Sequence, residues 1–462
     1  MGRSFLALIG FAFIVLFLAL PLLGVLSSAS LQDIPWRLLT SNAWQAFLSA
    51  SFALLLALPF AFALRSRTRF SFLLRALSLV PLVLPQPAMI LSIVVLFGAN
   101  GVMSLPFSLF GLGGIVLAHS LYNFPLAGRI IAVGLAQAAG QAEVARSLGA
   151  SRAQAFVRVT LPLLAPSLVS AYAVAFAFSF TSFAIPLVFG GVSYPTVEVE
   201  IFRSLFRDFD MGRAAFLALL QMAVFVPFAL AWKGMQWSQN LSAGGPSNRF
   251  AAPLSLFFVL ILAAILLGPL MRFSPSAFSF QPLANSFLLA FTSACLCVAL
   301  WLSVGARIGG RAFLLFGVSP LVLAVAYYPL GHSFPLLAIG HSLLAFPLVA
   351  SVLNSSAASM SRLSCVAASL GASRFTQVTR VVLPAFAPAF LTAFLFAFGL
   401  SLGESGFVMS VGGGFQTLST AAVSAFSSYR FSAGYFYVLV LTGFALCASL
   451  LVEKLDVLGG KA

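Results

Sequence analysis

Charge is scarce in this sequence. Only 7% of its 462 residues are Asp, Glu, Lys or Arg, and nine of them are acidic. A soluble domain carries about a quarter charged residues, so a water-facing globular surface is excluded. Lysine occurs only at Lys233, Lys454 and Lys461. None stands in a G-x-x-x-x-G-K-[ST] setting, which excludes a nucleotide-phosphate loop of the chain's own. The four cysteines, Cys295, Cys297, Cys365 and Cys447, form no C-x-x-C pair and read as small core residues, not as a disulfide framework. Nine acids, three histidines and scattered serines make no catalytic constellation. The chain is read as no enzyme, with no catalytic residue, no metal site and no cofactor.

What is abundant is apolar: 61% of the residues are hydrophobic and the mean hydropathy is +1.09. A hydrocarbon layer of about 30 Å needs about 20 apolar residues per helix, because every backbone polar group must be satisfied within the segment. Apolar runs predict helices near 5–27, 46–64, 72–97, 111–128, 167–189 and 214–232. After a polar stretch, six more are predicted near 253–271, 285–304, 312–329, 332–353, 386–409 and 433–452. The first run, after Arg3, is long for a signal peptide and is read as helix one. The expected fold is all-α, a polytopic membrane protein of about 12 transmembrane helices.

Basic residues concentrate in cytoplasmic loops. With the N-terminus placed inside, all but six of the 24 basic residues fall on the cytoplasmic side. The six are Arg37, Arg203, Arg207, Arg213, Arg272 and Arg430, with Asp33, Glu198, Glu200, Asp208 and Asp210 beside them. Both termini are then cytoplasmic. The net charge of +15 reports orientation, not a nucleic-acid surface, because the charges are scattered over loops beside apolar spans.

The hexapeptide SLGASR stands at 147–152 and again at 369–374. Extended without gaps, 143–166 matches 365–388 at 14 of 24 positions, and HSLYNFPL (119–126) falls on HSLLAFPL (341–348). The chain is an internal duplication of a six-helix unit: a first repeat at 1–232 with its loop at about 137–166, a linker at 233–250, and a second repeat at 251–462 with its loop at about 355–388. An even number of crossings keeps both copies in one orientation. In each loop helix-forming residues lead to Gly149 or Gly371, suited to a left-handed helix end. Ser151 with Gln154 then makes a capping box, where the second copy has Thr376, and Pro162 or Pro384 starts the next helix. Twin protruding knobs suit a two-fold partner; amphipathic loops resting on lipid headgroups are the alternative.

These loops resemble those of the inner-membrane permeases of bacterial ABC importers, which carry E-A-A, then G, then L-P. Glu143-Val144-Ala145, Gly149 and Leu161-Pro162 match in the first copy. Ala367, Gly371 and Leu383-Pro384 match in the second, where Cys365 replaces the glutamate. The resemblance covers nearly the whole chain. It implies that each loop is a coupling helix seated in a homodimeric ABC ATPase, with Glu143, Ala145, Leu148, Gly149, Arg152, Ala367, Leu370, Gly371 and Arg374 as the contact residues. It further implies a bacterial inner-membrane location and a periplasmic or extracellular solute-binding protein, with lipid around the helices. Among fused double permeases, 196–222 and 427–455 look most like the thiamine and thiamine-diphosphate group, with the ferric-iron group the near relative.

Glu404, in SLGESGF, is the one carboxylate placed inside a predicted span. A mid-membrane acid costs about 2.5–3.5 kcal/mol on insertion scales, so either it attracts a cation such as a thiazolium or it bonds local backbone. Phe178, Phe180 and Phe398 lie in corresponding helices, where aromatic faces either stack on such a cation or serve packing and lipid contact. The charged outer segment 190–213 is either a docking rim or a solvated loop. His119 and His341 occupy equivalent places and read as a duplicated helical position, not as metal ligands. A self-contained secondary transporter also has two parallel six-helix halves and is the rival of another class.

Overall fold

The computed structural model describes residues 2–30, 33–66, 68–84, 86–98, 101–103, 107–191, 193–231, 251–268, 279–308, 318–428 and 430–459. All regular elements among them are helical. In the first half these are α1 (Ala7–Ser28), α2 (Trp36–Arg65), α3 (Ser71–Val83), α4 (Gln86–Phe97), α5 (Leu112–Ser147), α6 (Arg152–Phe180), α7 (Ala184–Phe189), α8 (Val197–Phe206) and α9 (Met211–Ala231). The second half repeats the order with α10 (Ala251–Leu267), α11 (Phe280–Gly305), α12 (Pro320–Tyr327), α13 (Phe334–Ser369), α14 (Arg374–Gly403), α15 (Gly406–Val411), α16 (Leu418–Ser427) and α17 (Phe431–Gly459). The expected linker at 233–250 lies outside the described residues.

Eight of these helices are long and apolar enough to cross a membrane, or nine if α3 and α4 count as one broken span. Three more apolar helices, Met211–Phe225, Ala251–Leu267 and Pro320–Leu330, are shorter. The expected span 72–97 is therefore corrected: its two pieces meet at 111°. The cause is local. Leu84 precedes Pro85, whose ring disfavours a helical conformation in the residue before it, and Leu84 is extended at φ −71°, ψ 123°. The expected spans 167–189 and 386–409 are likewise broken, at Thr181–Phe183 and at Glu404–Ser405.

Two other boundaries move outward. The helices predicted at 111–128 and 332–353 are each one 36-residue helix, α5 and α13, running into the SLGASR turn. At 1.5 Å per residue each is about 54 Å long, far more than the hydrocarbon layer needs, so one end projects. The knob is thus the meeting of two long helices. Pro162 and Pro384 stand, as expected, in the first turn of a long regular α-helix, Leu161–Phe180 and Leu383–Gly403; in each case a wide π turn, Phe156–Thr160 or Gln377–Val382, joins it to the short opening turn of α6 or α14 at Arg152 or Arg374. A loosened turn accommodates the missing N–H there.

α2, α5 and α6 pack on one another as α11, α13 and α14 do. The opening helix of each half lies against the other half: α1 touches the end of α11 and α12, and α10 touches α2, α3 and α4. Most of the apolar stretch of α5 and α13, 78%, is buried, against 22% for α1; the two long helices are central and α1 peripheral. A buried ion cluster adds to the interlock. Arg75 on α3 donates to Glu453 on α17, and Arg129 on α5 donates to the Arg75 carbonyl at 3.0 Å and to Ser78 Oγ at 2.8 Å. Glu404 is therefore not alone among membrane-embedded acids.

Candidate functional site

Between the halves lies a cavity of about 210 Å³. The breaks in α3–α4, α6–α7 and α14–α15 all open on it, because a broken helix leaves side chains and backbone groups free to face inward. The first half contributes Gln86, Tyr122, Asn123 and Phe178. The second contributes Ser319, His341, Ser401 and Glu404. Tyr122 donates its hydroxyl to the Leu84 carbonyl at 3.2 Å, tying α5 to the break in α3–α4. Ser179 and Ser401 are equivalent by the duplication, yet Asn123 Nδ2 donates to the first at 3.1 Å and His341 Nδ1 meets the second at 2.7 Å. The walls have therefore diverged.

Glu404 follows the last turn of α14 with a side chain 15% exposed. Both carboxylate oxygens accept from Phe407 N at 3.0 Å, and Oε2 also accepts from Val408 N at 3.4 Å. These N–H groups open α15, and a carboxylate there is stabilised by otherwise unbonded donors. His341 Nε2 stands 3.8 Å from Oε2, beyond hydrogen-bond reach. The cap leaves lone pairs of the carboxylate unused, so Glu404 is at once a local cap and the one carboxylate of the cavity wall. Phe178 lines the cavity too. Phe180 does not: it is buried against Phe176, ring centroids 5.7 Å apart. Phe398 packs on Phe287 and Phe394 instead. His119, buried in the first half, has no hydrogen-bond partner on either ring nitrogen.

The segment 190–213, expected on the outer face, is only partly exposed among its described residues. Glu200 pairs with Arg213 at 2.6 Å, Arg203 donates to the Gly191 carbonyl at 2.9 Å, and Arg207 and Asp208 face solvent. Glu198 is fully buried, accepting from Gln221 on α9, so it is no part of a docking rim. It sits on α8, outside the eight spans. Burial pushes its carboxyl up to about 7; the nearby Ser319 hydroxyl and the bond from Gln221 oppose the rise and the Glu404 charge adds to it.

The two knobs have one geometry. Gly149 (φ +95°) and Gly371 (φ +83°) take the left-handed conformation that closes a helix. Gly149 N donates to the Arg146 carbonyl and Ala150 N to that of Ala145, as Gly371 N does to Ala368 and Ala372 N to Ala367, all at 3.0 Å. Leu148 and Leu370 at the apices are 83% and 82% exposed, and Glu143, Arg152 and Arg374 are exposed beside them. The capping box of Ser151 and Gln154 is formed. The second knob has the same cap, Ser373 accepting from Thr376 N, and adds a brace, Gln377 Nε2 to the Ala372 carbonyl at 2.7 Å.

Sequence reasoning missed Gln86, Tyr122, Asn123, Ser319 and Ser401. The available signal was polar residues inside apolar runs, as in PQP and YN. Of the carboxylates it missed Glu198 and Glu453 as buried, because Glu453 stands just past the last predicted run and Glu198 in the charged segment between two runs.

Comparison with known proteins supplies the context. Residues 49–274 match the family model described as the binding-protein-dependent transport system inner membrane component. The chain is 29% identical to the thiamine transport system permease protein of Salmonella typhimurium, over 96% of this chain and 93% of that one. The corresponding protein of Escherichia coli is 28% identical over 91% and 89%. The molybdenum transport system permease protein of Mycobacterium bovis is 33% identical, but 46% of this chain suffices to cover 88% of it. A permease of half the length is what one repeat of a duplicated chain corresponds to. The chain is a multi-pass permease belonging to the family of binding-protein-dependent transport system inner membrane components.

Proposed function

We propose that this chain forms the translocation pathway of an inner-membrane ABC importer for thiamine or its phosphates. One observation carries the reading: a largely apolar cavity at the seam of two duplicated halves whose single carboxylate, Glu404, suits an organic cation. Full-length likeness to thiamine permeases supports the substrate, and the ferric-iron alternative gains no such support. The secondary-transporter reading is set aside by family membership. At about 210 Å³ the cavity is smaller than the roughly 300–1,000 Å³ of drug-sized ligand pockets, so a vitamin-sized cargo passes only when the halves part.

Parting is work for a partner. The knobs at Gly149 and Gly371 are the handles, their exposed leucines seating in a homodimeric ATPase on the cytoplasmic side, where both termini also lie. Nucleotide-driven closure of that ATPase favours one of two conformations by binding it better, and a solute-binding protein delivers cargo on the outer face. Glu404 attracts the cation and Phe178 offers it an aromatic face; Phe180 and Phe398 act indirectly, by packing.

The test is uptake of labelled thiamine by vesicles holding this chain with its ATPase and binding protein. Uptake that requires ATP and falls about tenfold in Glu404→Gln is expected. Accumulation of iron but not thiamine overturns the substrate, and uptake unchanged by Glu404→Gln removes the electrostatic role.

A further inference from the structure

Glu198 has no job in the pathway as described, yet its surroundings are those of a functional group. It is fully buried, Gln221 satisfies Oε1, and Oε2 has no hydrogen-bond partner. A buried ionisable carboxyl left half-satisfied is costly, and the arginines of its own segment lie elsewhere: Arg213 pairs with Glu200, Arg203 with Glu200 and the Gly191 carbonyl, and Arg207 is exposed. What lies on its other side is the cavity wall. Ser319, the cap of α12, accepts from Val322 N at 3.1 Å, which leaves its own hydroxyl proton to offer Glu198, and the same serine lines the cavity with Glu404. Glu198 belongs to the first half, Ser319 and Glu404 to the second.

We propose that Glu198 is a second specificity-determining carboxylate of the translocation pathway, set one serine behind the cavity wall, so that an organic cation crossing the seam is held between one acid from each half. The two acids do not correspond in the duplication: the residue matching Glu404 is Ser182. Two like charges near one seam repel, and a cation arriving as the halves part relieves both. The arrangement favours a compact monocation over an anion or a neutral solute. This inference rests on the pathway reading above, and deepens it.

The test uses the reconstituted complex with thiamine, then a panel of other organic cations, and reads KM and maximal rate separately alongside the thermal midpoint of the purified complex. Glu198→Gln is expected to raise KM for the transported cation about tenfold, with maximal rate within about twofold and the midpoint unchanged or higher. Glu198→Asp, which keeps the charge, stays within about threefold of the wild-type KM. An unchanged KM in Glu198→Gln overturns the proposal, as does a lowered midpoint with uptake reduced in parallel in both variants, the mark of a purely structural residue. If wild-type vesicles take up another organic cation but not thiamine, only the substrate reading fails, and Glu198 is judged on that cation. If they take up no cation, both fail.

Discussion

Single residues show how an apolar chain retains the few charges it has. Glu453 survives in α17 because Arg75 donates to it from the other half, with side chains only 4% and 12% exposed. Removing one member of a buried pair leaves the other uncompensated, so Glu453→Gln is expected to lower unfolding free energy by about 3–5 kcal/mol. Thermal denaturation in detergent checks this. Glu198 gives a pH prediction. Its folded pKa, about 7, lies above the ordinary 4.5, so the folded state holds the proton more tightly than the unfolded one. Its contribution to stability is therefore full below about pH 4.5 and lost as pH rises through 7. The midpoint is expected to fall between pH 5 and 8 by more in the wild type than in Glu198→Gln; equal slopes would rule out Glu198 as the source.

Among elements, the knobs and the broken helices do different work. Gly149 and Gly371 need a left-handed backbone, but a Cβ at either would meet no atom within 4 Å. Alanine there costs only backbone strain, about 1–2 kcal/mol, so Gly149→Ala and Gly371→Ala are expected to fold while distorting the apex that carries Leu148 or Leu370. Measured against wild type, ATP-driven uptake should drop several-fold in each while the amount of purified chain holds. A loss of expression instead would make the glycines structural only. The knobs were legible in the sequence because the Ser-Leu-Gly-Ala-Ser-Arg turn is local: glycine and serine dictate it without help from the rest of the fold. The helix breaks do not show in hydropathy, which is continuous across Leu84 and Glu404; at the first, the proline after Leu84 was the one local signal.

In the whole molecule the opening helix of each half packs against the other half, and a cavity lies at the seam between them. If the copies are parallel, single cysteines at Ser147 and Ser369, in a background lacking all four native cysteines, should react with a membrane-impermeant thiol reagent from the cytoplasmic side only. Reaction from opposite sides would end the parallel reading. The sequence by itself determined the helical membrane class, the duplication and the knob turns, because hydropathy, a repeated string and turn chemistry are written along the chain. Only the tertiary structure decided what faces the seam. Glu404, Asn123 and Ser319 meet there while Phe180 and Phe398 do not, and Glu198 leaves the surface for the interior. Burial and neighbourhood are set by how separate helices pack, and an apolar run reads alike whether it faces lipid, another helix or a cavity.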